Sequence, residues 1–413
     1  MRIAYIAHYQ GPDLMMRRPC LHNLSLANKV KIELIAELLQ QSAHQVEILS
    51  QGEVDRYECR FYPAFAETKL FHRDIPVYYA SALPIRFVNG FWSSNRSVHL
   101  FKARHKVSPF DLVIIHNMKR GHIACANYAM RRLGLPVVLE YEDDLFVDVR
   151  GEASNGLLTR FHQRVYARML KRVSGCMAVS PYLLTQLPSS IPKLLLRGVV
   201  SEDIVNSNHQ PMVSRKNWVV FCGTLEGTQG LEQMINAWNM LRLADWELHI
   251  AGRGPIADEL KKLAGSNRSI IFRGFLNRKE NARLLCSAKI GMNPQDVTKT
   301  QGNVFALKII EYLAAGLHVI TTPRGSLEPE LEAGVSYIAD NTPEAIATSL
   351  KNVISAKSYE QTAQEAAVAT YGPGAISKAL NRLINQLAIE GAKECGVAKS
   401  LNGTTLSSVR RRH

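Results

Sequence analysis

The sequence predicts an α/β protein of two doubly wound, Rossmann-like domains facing each other across a cleft, and three observations carry that expectation. At 413 residues the chain is longer than one hydrophobic core comfortably holds. Segments rich in β-branched and aliphatic residues alternate with segments of helical periodicity, the rhythm of a parallel sheet. That rhythm lapses in the polar, proline-containing stretch 200–217 and restarts at 218.

Taken in order, RIAYIAHY (2–9) reads as the first strand and KIELIAELL (31–39) as a helix. Strands QVEILS (45–50) and DLVIIHN (111–117) follow, then a helix over 121–133, strand LPVVLEYED (135–143) and a helix over 157–172. GCMAVS (175–180) and KLLLRG (193–198) complete a first domain, 1–199. Within it, 55–105 reads as a polar insertion rich in aromatic and basic residues, placed for acceptor or membrane contact. After the linker 200–217, the second domain (218–371) repeats the pattern. Its strands are WVVFCG (218–223), WELHIAG (246–252), SIIFRG (269–274), IGMNP (290–294), LHVITTP (317–323) and VSYIAD (335–340), with helices over 230–241, 256–264, 279–288, 305–315 and from 343. A helix over 372–390 is expected to cross back to the first domain, and 391–413 reads as a mobile basic tail ending in Arg410, Arg411 and Arg412.

Composition narrows the class. Hydrophobic content of 46% and charged content of 21% describe a globular protein and exclude general disorder. No apolar run approaches the ~18 residues of a membrane span, and MRIAYIAHYQ lacks the layout of a signal peptide, so a cytoplasmic location is expected. The cysteines are odd in number, seven, and none forms a C-x-x-C pair, which favours reduced thiols over a zinc site. A net charge of +14 attracts anions. Without a recognisable nucleic-acid module, the expected partners are a phosphorylated substrate and, peripherally, the anionic inner face of a membrane; no nucleic acid is expected.

The sharpest segment is QGNVFALKIIEYLAAGLHVITTP (301–323), where a polar loop enters a helix, Gly316 stops it and a strand follows. Phe305, Ile309 and Leu313, with Ala306 and Ile310, form its apolar face, while Lys308 and Glu311 are neighbours on another. A helix start carries partial positive charge and free N–H groups, and a lysine there strengthens it as a phosphate site. A carboxylate one turn on can accept two ribose hydroxyls.

FALKIIEYLAAGLHVI, WELHIAGRGP, IIFRGFLNRKENARLLCSAKIGMNP and FCGTLEGTQGLEQMINAW together resemble, in order and spacing over 218–323, the donor half of glycosyltransferase family 4, the group 1 glycosyltransferases of the GT-B fold. The resemblance implies a cytoplasmic glycosyltransferase that takes a nucleotide-diphospho-sugar as substrate, needs no metal or other cofactor, and transfers the sugar with retention to a glycan or lipid-linked acceptor in polysaccharide or glycoconjugate synthesis. Carried over by position, the ribose-binding glutamate is Glu311 and the phosphate-facing helix start is Leu307 and Lys308. The base-binding loop is Arg273, Gly274 and Phe275, and the diphosphate lies near Gly223 and Thr224. The family's first glutamate, near the donor sugar, is here Asn303; its arginine after the first glycine is Thr224, and its lysine before the next is Gln229. Arg253, Lys308, Arg17 and Arg18 are the candidate replacement cations.

In the first half, Gly11 holds the place of a loop facing the donor phosphates, and His116 that of a histidine delivered toward the sugar, so that His116, Lys308 and Asn303 form the expected catalytic set. EYEDDLFVD (140–148) collects carboxylates at a strand end; Glu142 and Asp143 are expected to bind acceptor or cap a helix, in preference to a metal. The three departures favour one other class, a non-catalytic nucleotide- or glycan-binding partner protein of the same fold; a nucleotide-sugar epimerase in that fold is a third reading.

Overall fold

The computed structural model describes the chain outside residues 19–25, 53–58, 68–73, 143–156, 208–213, 297–305, 324–326, 357–360 and 405–413. The first half runs β1 (Arg2–Ile6), α1 (Pro12–Arg17), α2 (Leu26–Gln41), β2 (Gln45–Ser50), β3 (Phe65–Glu67), β4 (Val77–Tyr79), α3 (Asn89–Val107), β5 (Leu112–His116), α4 (Arg120–Tyr128), β6 (Val137–Tyr141), α5 (Leu157–Leu170), β7 (Gly175–Ala178), α6 (Pro181–Thr185), β8 (Lys193–Leu195) and α7 (Glu202–Val205). The second runs β9 (Trp218–Cys222), α8 (Leu231–Leu241), β10 (Glu247–Ala251), α9 (Ala257–Ala264), β11 (Ile270–Gly274), α10 (Arg278–Ser287), β12 (Ile290–Asn293), α11 (Leu307–Ala314), β13 (His318–Thr321), α12 (Pro329–Glu332), β14 (Val335–Tyr337), α13 (Pro343–Ala356), α14 (Gln361–Tyr371) and α15 (Pro373–Thr404).

Two sheets result, ordered β3-β4-β2-β1-β5-β6-β7-β8 and β11-β10-β9-β12-β13-β14. Every pairing is parallel except the edge pair β3 and β4. Helices cover both faces, which is why β1, β5 and β6 are buried along their whole length and read as unbroken apolar runs. The order reverses beside β1 and beside β9, so the carboxyl ends of both strands open into crevices.

Three corrections concern organisation. Residues 55–105, expected as a polar insertion, supply β3, β4 and the 19-residue α3. The stretch 200–217 contains α7, whose Ile204 joins the core. Chain from 391, expected as a mobile tail, continues α15 to Thr404. That helix packs on the first domain: Ser377 and Asn381 bond Ser42 at 2.9 and 2.8 Å, and Leu387 lies against Gly175.

One hydrophobic cluster joins both halves. Ile32 and Ile35 of α2 share it with Leu285 of α10, Ile309 and Leu313 of α11, and Leu380 and Leu383 of α15. The helix α11 is seated by Tyr312, whose hydroxyl accepts the Cys222 N–H at 2.8 Å while its ring fills the space that Gly291 leaves open. Tyr312→Phe keeps the ring and orphans the Cys222 amide. It should cost about 1–3 kcal/mol, read as a lower urea midpoint with an unchanged slope.

Candidate functional site

The donor side is built from three backbones that meet beyond the ends of β9 and β10. The Gly223 N–H donates to Ala251 O at 3.0 Å and the Leu225 N–H to Arg253 O at 3.0 Å. A Cβ on Gly252 (φ 143°) would overlap Gly223 O, and one on Gly254 would overlap Leu225 O, so close approach requires glycine at both places. Onto this platform α11 directs Lys308. Its Nζ donates to Gln229 Oε1 at 2.7 Å, lies 4.1 Å from the Phe221 ring centroid, and would stand 3.1 Å from a Cβ on Gly223. No side chain caps α11, so its first amides add their dipoles to the ammonium charge.

Glu311 follows one turn after Lys308 and is half-buried. Burial pushes its carboxyl up to about 7, against the opposing pull of Lys308 and Arg278. Of the loop 273–275, Gly274 adopts a φ of 67° with open space around it, and Phe275 is 57% exposed. The Arg273 side chain turns away: its Nε donates to His249 Nδ1 at 2.9 Å, and the guanidinium lies 5.5 Å from the Trp218 ring. Arg253 is exposed and stands 5.1 Å from the Phe275 centroid.

On the facing side, His116 ends β5 beside Glu140 of β6, in direct register. Its Nδ1 is 2.9 Å from Glu140 Oε2, which also accepts the Tyr5 hydroxyl. Burial alone would push the imidazole down, but the Glu140 carboxylate outweighs it and holds His116 above its ordinary value. The same partners, with Lys31, keep Glu140 ionised despite its burial. Lys31 pairs with Glu142, donates to Leu196 O at 3.0 Å, and is 4.0 Å from Glu140 Oε1. His116, Glu140 and Glu142 offer ligand atoms within 4.8 Å of one another. The Lys31 ammonium lies among these carboxylates and supplies a compensating cation, so the set forms an ion cluster. Glu142, expected to bind acceptor or cap a helix, is placed in that cluster by its pairing with Lys31.

Two further placements differ from expectation. Arg18, a candidate phosphate cation, is 1% exposed and donates to the carbonyls of Gly52, Pro63 and Ala80. It is a structural bolt, while Arg17 lies 4.5 Å over the Phe65 ring. Gly11 is a position where a side chain would collide with Glu67 and Tyr79, and its N–H is taken by the Tyr79 hydroxyl at 3.0 Å. Asn303 and Asp143 lie outside the described residues.

The halves touch through pairings that sequence reading missed. Leu307 fills the space above Gly198. Arg278, at the start of α10, reaches α2, with Nη2 3.0 Å from Glu33 and Nη1 3.3 Å from Glu37. Glu33 also accepts the Tyr9 hydroxyl at 2.9 Å. The one available signal was the Asn277–Glu280 capping box, which fixes where α10 begins and hence where Arg278 points.

The family description "Glycosyl transferases group 1" matches residues 216–356, and "Glycosyl transferase 4-like domain" matches 29–190. A GDP-mannose-dependent alpha-(1-6)-phosphatidylinositol dimannoside mannosyltransferase of Mycobacterium tuberculosis is 32% identical over 140 residues, 33% of this chain and 35% of that protein. The match thus spans about a third of that relative's length. Sucrose-phosphate synthase from Thermosynechococcus elongatus has a similar structure, with a TM-score of 0.67 at 16% identity over 94% of this chain and 100% of that one. WaaG, a glycosyltransferase involved in lipopolysaccharide biosynthesis, gives 0.60 at 13% over 91% and 98%. Anabaena HepE in complex with UDP and glucose gives 0.61 at 14% over 94% and 100%. Identities this low show a shared fold. With a 4-like domain in the first half, a group 1 domain in the second and two Rossmann-like domains facing each other, the chain belongs to the group 1, family 4-like glycosyltransferases of the GT-B fold.

Proposed function

We propose that the protein transfers a sugar, with retention, from a nucleoside-diphosphate sugar to a glycan or lipid-linked acceptor in polysaccharide or glycoconjugate synthesis. The observation that carries this is Lys308 at the uncapped start of α11, set against the Gly223 backbone with Glu311 one turn on. The diphosphate would lie on Gly223 and Lys308, the ribose hydroxyls on Glu311, and the base beside Gly274 and Phe275. As the sugar–phosphate bond breaks, negative charge grows on the leaving diphosphate, where Lys308 and the helix dipole stabilise it. The acceptor hydroxyl oxygen bonds the anomeric carbon from the same face as the sugar–phosphate bond breaks, and its proton passes to the leaving phosphate oxygen. His116, fixed through Nδ1 by Glu140, would offer its other nitrogen to a donor hydroxyl as a positioning contact.

No step in this scheme calls on a metal. The mannosyltransferase relative is named GDP-mannose-dependent, which makes GDP-mannose the first donor to test. Gln229 and Thr224, in place of family cations, keep a non-catalytic nucleotide-binding role as the rival reading.

Membrane approach fits the outer layer of the first domain. From 83 to 139 there are nine lysines and arginines and a single acid, Asp111. Phe87 and Phe91 project at 83% and 76% exposure, exposed Arg120 lies close to Gly90 between them, and Lys102 and Lys106 are exposed further along α3. Among the described residues no helix is long and apolar enough to cross a membrane. A basic surface with aromatic anchors suits peripheral contact with anionic lipid.

GDP at a hundred times its Kd should stabilise the protein by about 2.7 kcal/mol, seen as a raised Tm. Lys308→Ala should weaken GDP binding roughly tenfold or more by calorimetry, in line with about 1.5–3 kcal/mol for a charged hydrogen bond. Transfer or hydrolysis across a panel of nucleotide sugars decides between enzyme and binding protein; binding without either sinks the catalytic reading.

Ribose binding needs Glu311 ionised. Below about 7 its carboxyl is protonated and must lose a proton on binding, so GDP-mannose affinity should rise with pH up to that point and level above it. GDP-mannose, a diphosphate diester, brings no titration of its own near neutrality. Glu311→Gln should bind more weakly with a flat profile; a rise that persists in the variant assigns the dependence elsewhere. Phe87→Ser with Phe91→Ser should reduce sedimentation with anionic phosphatidylglycerol vesicles severalfold, leaving GDP affinity intact.

A further inference from the structure

Lys119 and Arg120 open α4, and among the described residues neither is paired with an acid. Lys119 is the half-buried N-cap residue of a helix that has no side-chain cap and no acid in its first turn. It follows His116 by three residues, beyond the carboxyl end of β5, and its Nζ donates to His8 Nδ1 at 3.2 Å, beyond the carboxyl end of β1. These strands are neighbours at the point where the sheet order reverses, so the pair stands at the mouth of the first domain's crevice.

Counting protons shows what the pair leaves unmet. An ammonium only donates, so His8 Nδ1 accepts. Burial, then the Lys119 charge, hold the pKa of His8 well below its ordinary value, and the neutral ring carries its proton on Nε2. That nitrogen faces the Gln10 side-chain amide at 3.3 Å, and the other end of the amide is buried without a partner. Two donors do not bond, so the amide oxygen faces His8 and the NH2 group holds the unpartnered place. His122, third in α4, has Nδ1 2.6 Å from His116 O and is pushed down to about 3 by burial, Lys119 and His116. Both histidines beside Lys119 are therefore neutral. An ammonium, the first amides of α4 and the buried Gln10 NH2 remain, and each of them favours an anion.

Arg120 reaches a different set of neighbours. Its Nη1 would lie 3.4 Å from a Cβ on Gly90 in the first turn of α3, and its Nη2 is 3.0 Å from His162 Nε2. Gly90 sits between Phe87 and Phe91, the aromatic residues of the surface suited to lipid. One peptide unit, about 3.8 Å between Cα atoms, thus carries positive charge from that surface to the crevice holding His116. A molecule anchored in the bilayer by its lipid would bring the phosphate next to its head group to this turn.

We propose that Lys119 and Arg120, at the start of α4, bind a phosphate group of a lipid-linked acceptor and so place the acceptor's hydroxyls beside His116. This rests on the transferase reading above and names the class of its acceptor, a lipid phosphate in preference to a neutral glycan.

The test uses the full chain and two short-chain lipids below their micelle concentrations, dihexanoylphosphatidylglycerol and uncharged dihexanoylglycerol, with GDP as the reference ligand. Calorimetry should show the phosphate lipid binding at least about tenfold more tightly than the uncharged one. Lys119→Ala should weaken the phosphate lipid about tenfold and Arg120→Ala severalfold, losses that shrink as salt rises, with unchanged GDP affinity and melting transition. Lys119→Arg should retain most of the binding. No binding of the phosphate lipid, equal binding of the two lipids, or an affinity that neither alanine variant changes overturns the proposal and leaves the donor site standing. A matching loss of GDP in Lys119→Ala assigns the ammonium to the donor and overturns the acceptor role. If wild-type protein binds the phosphate lipid but no nucleotide, the transferase reading falls and the acceptor role falls with it.

Discussion

A helix buried on every side can keep charged residues only if each is met by a partner, because an unpaired buried ion costs several kcal/mol. The helix α2 is in that position. Residues 31–39 are buried without interruption, and Lys31, Glu33 and Glu37 lie among them. Lys31 answers the carboxylates of Glu140 and Glu142 at the ends of the first sheet's strands. Glu33 and Glu37 point the other way and are answered by Arg278 from the second domain. Charge matching along one helix thus fixes the strand-end cluster that holds His116 and the approach of the donor half. Apolar packing in the shared cluster supplies the bulk of the attraction, and the ions select the arrangement in which it is realised.

The same logic separates the two sides of the cleft. In the first domain the titratable groups are compensated before any ligand arrives: His116 by Glu140, Glu142 by Lys31, Arg18 by three carbonyls. In the donor half Lys308 meets a neutral amide and an aromatic face, those of Gln229 and Phe221. A lysine in place of Gln229 would set two ammonium groups near contact, a repulsion of about 4 kcal/mol at 4 Å and an effective dielectric of 20. The amide removes that repulsion and orients Lys308, at the expense of one charge toward the phosphate.

Much of this was legible in the sequence, and the boundary of legibility is physical. Parallel strands buried on both faces announce themselves as apolar runs, and β9 through β13 fall within the expected segments to within one or two residues at most ends. The FALKIIEYLAAG segment names Lys308 and Glu311 because helix geometry fixes their spacing. Pairings between distant segments leave no such trace. Tyr5 with Glu140, Lys31 with Glu142 and Arg278 with Glu33 each depend on sheet order and on how the two halves meet. The periodicity of KIELIAELL predicts a helix and gives no sign that Lys31, Glu33 and Glu37 are buried on it. Arg18 fails for a related reason: an arginine beyond the first strand looks like a phosphate ligand until the carbonyls it must satisfy are in view.

Arg278 brings these threads to one point. It lowers the proton affinity of Glu33 on the first domain and of Glu311 in the donor site, and burial pushes both carboxyls up to about 7 against it. One guanidinium therefore serves the contact between the domains and the group that would take the ribose. Were the domains to separate, Arg278 would lose Glu33 and Glu37 together, and Glu33 would keep Tyr9 and Lys29 nearby, a weaker defence of a buried charge. Protonating Glu33 is the least costly response to that loss, because a neutral carboxyl can still bond the Tyr9 hydroxyl. The contact between the domains is thus favoured by an ionised Glu33.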